Sequence, residues 1–277
     1  MSKGTRSILV SFLALALLLV TLLVNASISL SLNQATQQAP TTVNKQIPAT
    51  TAREITGCTV IDSPGVYVLT QDITGTYPGK NWCIWINTSN VILDGQGHSI
   101  TGLGAYSTTG IFVGSASNVT IRNTKISGYW AGIVFNGPGS GNTIINNTVV
   151  KNSCHGIQFF GTSGNIIANN VIADNGVTYQ CPGIYFYATY NNIVYNNVFN
   201  NTRNAIANGG SNQWNTTLSP GVNIVGGNWI GGNYWAQPDG KGYSQTCRDI
   251  EEPIGICDQP YVINDANTDY YLLAEPV

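Results

Sequence analysis

Charge is what this chain has least of. Asp, Glu, Lys and Arg make up 9% of its 277 residues, against about 25% in an ordinary soluble domain. The net charge is −2 and no basic stripe is visible, so nothing attracts nucleic acid and that partner class is excluded. Methionine occurs once, at position 1, and histidine twice, as His98 and His155. Copper sites favour Cys, Met and His, and few such donors are at hand. Strong helix formers are scarce, which argues against a helical fold. Acids are rarest in the middle, where only Asp94 and Asp174 lie between Ile84 and Trp235. Glycoside hydrolysis needs paired carboxylates, so a sugar-cleaving reading starts at a disadvantage.

What the chain does have is Gly, Asn, Thr and Ser, arranged as a returning phrase. It reads GIFVGSASNVTIRNTKISG from Gly110 and GIVFNGPGSGNTIINNTVVKN from Gly132. It returns as GIQFFGTSGNIIANNVIADN from Gly156 and GIYFYATYNNIVYNNVFNN from Gly183, with degenerate copies from Cys83 and Ala205. The start points Cys83, Gly110, Gly132, Gly156, Gly183 and Ala205 are spaced by 27, 22, 24, 27 and 22 residues. Such self-similarity marks a solenoid, whose units bury their apolar faces only against their neighbours. Within a unit, three short β-like runs alternate Val, Ile, Phe and Thr with polar residues. The fold class is all-β: a single-stranded parallel β-helix of about six coils over residues 84–235, with an N-terminal cap and a disulfide-braced C-terminal tail.

The flanks read differently. Lys3 and Arg6 precede an apolar run from Ile8 to Val24. Residues 1–26 are therefore a secretory signal or a retained membrane anchor, and membrane contact is expected only there. Residues 27–52 become Thr/Gln/Pro-rich and aperiodic, a flexible stalk open to O-glycosylation. In residues 53–83, EITGCTVI and GVYVLT flank Asp62-Ser63-Pro64-Gly65, which predicts a β-hairpin capping the open solenoid end. Residues 236–277 form the capping tail.

Equivalent positions in successive coils of a β-helix touch, at about 4.8 Å. Ile84, Ile111, Ile133, Ile157, Ile184 and Ile206 should form one inward stack. Ile86, Val113, Phe135, Phe159 and Phe186 should form a second, broken by Asn208. Asn123, Asn147, Asn170, Asn197 and Asn228 suggest an asparagine ladder at a left-handed corner. Asp94 aligns with Arg122, and Lys151 with Asp174, as cross-rung charge pairs. All six cysteines follow the N-terminal segment, which suits an oxidising compartment. Register pairs Cys154 with Cys181; Cys58 with Cys83 would tie cap to coil, and Cys247 with Cys257 would close a tail loop.

The phrases CTVIDSPGVYVLTQDI and NVILDGQGHSITG, the repeats, and the tail GGNYWAQPDGKGYSQTC resemble exported right-handed β-helix proteins of the NosD-like type. These belong to the carbohydrate-binding and sugar-hydrolase β-helix group common on archaeal cell surfaces. The family tail often carries an acidic calcium-type loop, and here Asp249, Glu251 and Asp258 match it as Ca²⁺ ligands. Pro253 and Ile254 replace later acidic positions, so a metal-free loop is the alternative. No other cofactor is implied.

Three functions follow. The first is a non-catalytic cell-surface protein, structural or glycan-binding, whose partners are envelope components. Trp85, Phe112 and Tyr185 precede inward residues and should point outward with Tyr187 and Tyr190, as faces for sugar stacking. Sequons at Asn87, Asn118, Asn146, Asn200 and Asn215 are glycosylation candidates. The second is a polysaccharide lyase or glycoside hydrolase, which lacks its carboxylate pair. The third is copper handling, as the family name suggests.

Overall fold

A computed structural model describes residues 51–275. The signal or anchor, and all but the last two residues of the stalk, lie outside the described residues. Three parallel seven-stranded sheets run the length of the solenoid. One coil contributes a strand to each sheet: for example Thr143–Ile145 to the first, Ala131–Asn136 to the second and Thr148–Val150 to the third. Each pairs in register with the same strand of the next coil, so Ile133 meets Ile157, Ile144 meets Ile167, and Val149 meets Ile172. The repeated phrase is thus one turn of a parallel β-helix.

The core forms between the sheets. Ile84, Ile111, Ile133, Ile157 and Ile184 are fully buried, as are Ile86, Val113, Phe135, Phe159 and Phe186. Burying one such side chain is worth about 1.5–3 kcal/mol. The last coil departs from the expected register. Ala205, not Ile206, pairs with Ile184, and Ala207, not Asn208, pairs with Phe186. Two small residues make room there for Trp214, whose ring lies 5.4 Å from Phe186 and 5.7 Å from Trp235. Trp235 in turn stacks on Phe199 at 4.6 Å. Both tryptophans are fully buried and plug the C-terminal end.

The N-terminal segment is not a hairpin. Arg53–Ile55 pairs in parallel with Gly65–Leu69, and Thr59–Ile61 pairs in parallel with Trp82–Ile86. The Pro-Gly turn is a coil corner, and the segment adds rungs to the helix rather than folding on itself. At the other end the phrase NIVGGNWIGG supplies no rung. Residues 219–230 make a small antiparallel pair, and Tyr234–Ala236 closes the third sheet. Beyond it lie a one-turn helix, Tyr243–Thr246, and an antiparallel pair of Tyr261–Asn264 with Asn267–Asp269.

Asparagine ladders run along all three corners, one expected but with different ends and two unforeseen. In the first, Asn147 gives its backbone N–H to Asn170 Oδ1, Asn170 to Asn197, Asn197 to Asn233, and Asn233 to Asp269. Asn123 and Asn228 are not members. Thr124 takes the first place, giving its N–H to Asn147. The left-handed residues are instead Asn123, Asn146, Asn169 and Asn196, with φ of 52–58°, each just before the ladder position. A second ladder runs Asn142, Asn165, Asn192, Asn212, Asn267. The third runs Asn152, Asn175, Asn201, Asn204. It explains the glycine that opens each repeat: a Cβ on Gly132 or Gly156 would stand 2.9 Å from the Asn152 or Asn175 amide nitrogen.

All three expected disulfides form: Cys58–Cys83, Cys154–Cys181 and Cys247–Cys257, with Cα separations of 4.5, 4.9 and 5.7 Å. Arg122 Nε binds Asp94 at 2.9 Å. Lys151 and Asp174 share one register but make no ion pair. Both sit exposed at left-handed corners, φ 55°, where an ion pair in water is worth about 0–1 kcal/mol.

Candidate functional site

The outer face of the second sheet holds the expected aromatics. Side chains alternate across a strand, so one outward column runs Val60, Trp85, Phe112, Val134, Gln158, Tyr185, Ile206. Trp85 and Phe112 meet at 6.5 Å at one end, extended by Trp82, 5.5 Å from Trp85, and by Tyr77 stacked on Trp82 at 5.0 Å. At the other end Tyr185 lies 6.4 Å from Tyr187, and Phe160 touches both. Tyr187 is half exposed. Tyr190 is equally exposed but lies at the next corner, bridged to Ser163, and stacks on none of these rings. Four of the five expected residues thus form two clusters and the fifth stands apart.

Beside the interruption at Val134 and Gln158 lies a feature that the aromatic spacing hid. Both are buried, although their column faces outward. The two 27-residue coils carry their extra residues at 102–108 and 174–182. Rings from these loops meet, with Tyr106 at 5.9 Å from Tyr179, and Tyr106 also packs 5.9 Å from Trp130. Trp130 reaches His155 at 5.5 Å, and His155 stacks on Tyr185 at 5.2 Å. The result is an aromatic wall beside the sheet, joining the middle coils to the Tyr185 cluster. The spacings of 27 against 22 and 24 residues were its signal in the sequence.

This face carries no charge. Burial pushes the His155 imidazole down to about 4, against a hydrogen bond to the Pro182 backbone that raises it, so His155 is neutral at pH 7. Three ring nitrogens here, Trp85 Nε1, Trp130 Nε1 and His155 Nδ1, are buried without a hydrogen-bond partner. The acids lie elsewhere. Asp94 is on the first sheet in the second register, and Asp174 is at a corner three coils on. Burial would raise the Asp94 carboxyl, but hydrogen bonds from Asn123, the Gln96 N–H and Arg122 together hold it below the usual carboxylate range. The structure does not bring the two together.

The tail acids do not converge either. Asp249 accepts the Gly255 N–H at 2.9 and 3.1 Å. Asp258 accepts the N–H groups of Ile250 and Glu251 at 3.1 and 3.0 Å and faces Arg248 at 3.4 Å. The matched carboxylates of Asp249 and Asp258 brace their own loop, and Glu251 is not gathered to them. Among the described residues, the one group of three metal-competent side chains within 4.8 Å is Cys154, His155 and Cys181. Of the sequons, Asn87, Asn118 and Asn146 are exposed at corners, while Asn200 and Asn215 are half-buried.

These features define a class: a disulfide-stapled parallel β-helix with an uncharged aromatic outer face, made for an oxidising, exported compartment. The chain belongs to the NosD family, described as periplasmic copper-binding protein, which it matches over residues 43–240. No curated protein matches it. Among solved structures it is similar to the Dettilon tailspike protein, with TM-score 0.37 and 16% identity over 58% of this chain and 39% of that one. It is also similar to the enzymatically active domain of bacteriophage CBA120 tailspike protein 2, with TM-score 0.33 and 16% identity over 58% of this chain and 32% of that one. The chain spans well under half the length of either.

Among the described residues, the copper named by the family finds no fitting donor set in the disulfide form. His98 Nδ1 faces Asp72 at 3.3 Å. His155 has only two sulfurs beside it, and these are bonded to each other. Met1 lies outside the described residues.

Proposed function

We propose that this protein is an exported β-helix of the cell envelope that binds an uncharged, linear glycan along the outer face of its second sheet. The observation that carries this is the face itself, aromatic at both ends with no charged side chain in its column. Sugar rings stack on aromatic faces, and a neutral ligand needs no countercharge. Phe112 and Tyr185 stand three rungs apart, about 14 Å at the rung spacing of ~4.8 Å. A linear hexose chain advances by close to one rung per sugar, so a chain laid along the helix axis meets both clusters in register. Nothing in this reading asks for catalysis.

The test is a glycan array probed with the full-length protein and with a Trp85→Ala/Tyr185→Ala variant. Each ring contributes ~0.5–1.5 kcal/mol beyond area burial, so the double variant should bind at least about fivefold more weakly. Longer oligomers should bind better than trimers. Undiminished binding by a folded variant removes this face as the site, and no binding by the wild type leaves a purely architectural role.

A further inference from the structure

Tyr190, the one expected aromatic that joins neither cluster, stands beside a site of its own. The fifth coil leads to it: Tyr185 lies 6.4 Å from Tyr187, and Tyr190 follows after a left-handed turn at Ala188, φ 51°. From Tyr187 the chain spans at most about 10 Å to reach it. The Tyr190 ring lies against the last coil, where a Cβ on Gly210 would stand 2.6 and 2.9 Å from two of its carbons. The residue is still 50% exposed, so the ring face turned away from Gly210 is open. Next to it is a cavity of about 320 Å³, near the lower end of the range of about 300–1,000 Å³ for ligand pockets. Asn191, Ser211 and Gln213, all exposed, line it, and no charged residue does. Asn208 ties the same coil to the aromatic face, its Nδ2 donating to the Tyr185 hydroxyl at 3.4 Å.

Strands of a β-helix run across its axis. Trp85, Phe112 and Tyr185 therefore follow one another along the axis, from rung to rung, whereas Tyr185, Tyr187 and Tyr190 follow one another across it within a single coil. A linear chain laid along the axis passes Tyr185 and leaves Tyr190 to one side. A branch leaving that chain at a right angle reaches it, and at ~4.8 Å per sugar the span from Tyr187 takes one or two sugars. Resting on the axial reading above, we propose that the ligand is a neutral glycan whose linear backbone carries short side branches, and that Tyr190 and its cavity hold one branch. The open ring face of Tyr190 stacks on the branch sugar. The amides of Asn191 and Gln213 and the hydroxyl of Ser211 both donate and accept, which suits the hydroxyl groups of that sugar. This corner thus selects among glycans of one backbone by what hangs from it.

The experiment titrates the full-length protein by calorimetry with six-sugar β-1,4 oligomers of glucose, mannose and xylose, each bare and with a single-sugar branch. A backbone that the wild type binds should be bound about fivefold more tightly when branched, the middle of what one stacked ring contributes. Tyr190→Ala should bring the branched form down to the affinity of the bare one, while Trp85→Ala/Tyr185→Ala should weaken both. Gln213→Ala keeps the backbone bonds of that residue to Asn192 and Val194; it should shrink the same preference, and it serves as the test if Tyr190→Ala fails to fold. Equal binding of bare and branched forms by the wild type, or a preference kept in full by either folded variant, would overturn the branch site and leave the axial face standing. Binding of neither form removes both readings.

Discussion

Replacing Asn170 by alanine should cost far more than replacing its neighbour Asn169, although both belong to the same Asn-Asn pair. Asn170 Oδ1 accepts the Asn147 backbone N–H at 2.9 Å and its side-chain amide at 3.1 Å. Its own Nδ2 donates to Ile144 O and Ala168 O, both at 2.9 Å, and to Asn197 Oδ1 at 3.0 Å. Truncation strands the buried Asn147 N–H, and an unmet buried group costs about 1–3 kcal/mol. Loss of the remaining bonds and the gap left by the amide bring the expected total to about 3–5 kcal/mol. Asn169, half-buried at φ 57°, holds a left-handed corner, where alanine costs about 1–2 kcal/mol. Urea unfolding followed by circular dichroism measures both as shifts in midpoint at constant slope. Equal shifts for the two variants would show that the ladder contributes nothing special to the fold.

Gly156→Ala places a Cβ 2.6 Å from Gly183 O and 2.9 Å from Asn175 Nδ2, so it should lose about 1–3 kcal/mol in the same assay. Gly164, with open space around it, serves as the control, with a loss near 1 kcal/mol from its positive φ. Asp269, which ends the first ladder, is fully buried; burial raises its carboxyl from 3.8 to about 7 against hydrogen bonds from Asn233, Trp235 and Tyr271. Between those values the folded state holds more protons than the unfolded one at this site, so the stability that Asp269 contributes is fully present below pH 3.8 and is lost as pH rises to about 7. At ~1.4 kcal/mol per pH unit the loss is of order 4 kcal/mol. Melting curves across that range should show the fall in the wild type, and Asp269→Asn should flatten it.

Much of this molecule was open to reading in the chain, for a physical reason: a solenoid repeats its contacts at fixed spacing, so columns of residues are columns of neighbours. The inward isoleucines, the Cys154–Cys181 pair and the Asp94–Arg122 pair all follow from that spacing. Failures came where the repeat breaks. Ile206 and Asn208 were misplaced because Trp214, outside the phrase, occupies the core of the last coil. The hairpin reading of residues 53–83 failed because a Pro-Gly turn suits a coil corner as well as a reversal. In the Asn-Asn pairs, the residue type alone does not say which member turns the chain and which stacks. The wall of Tyr106, Trp130, His155 and Tyr179 was missed because its rings come from loops of unequal length, outside the alternation that marks strand faces.

The ladders also have a direction. Every Oδ1 receives from the coil before it, so each array ends toward the C-terminus on an amide that needs an acceptor. The groups that meet this need pass nothing on: Asp269 has no amide to offer, and the amides of Asn267 and Asn204 are turned to Gly210 O, Asn264 Oδ1 and Ala236 O. A stack of identical rungs is otherwise a template for further rungs, whichever molecule they come from. These three terminators, set beside the tryptophan plug, leave no amide at the C-terminal end of the ladders free to receive a further rung.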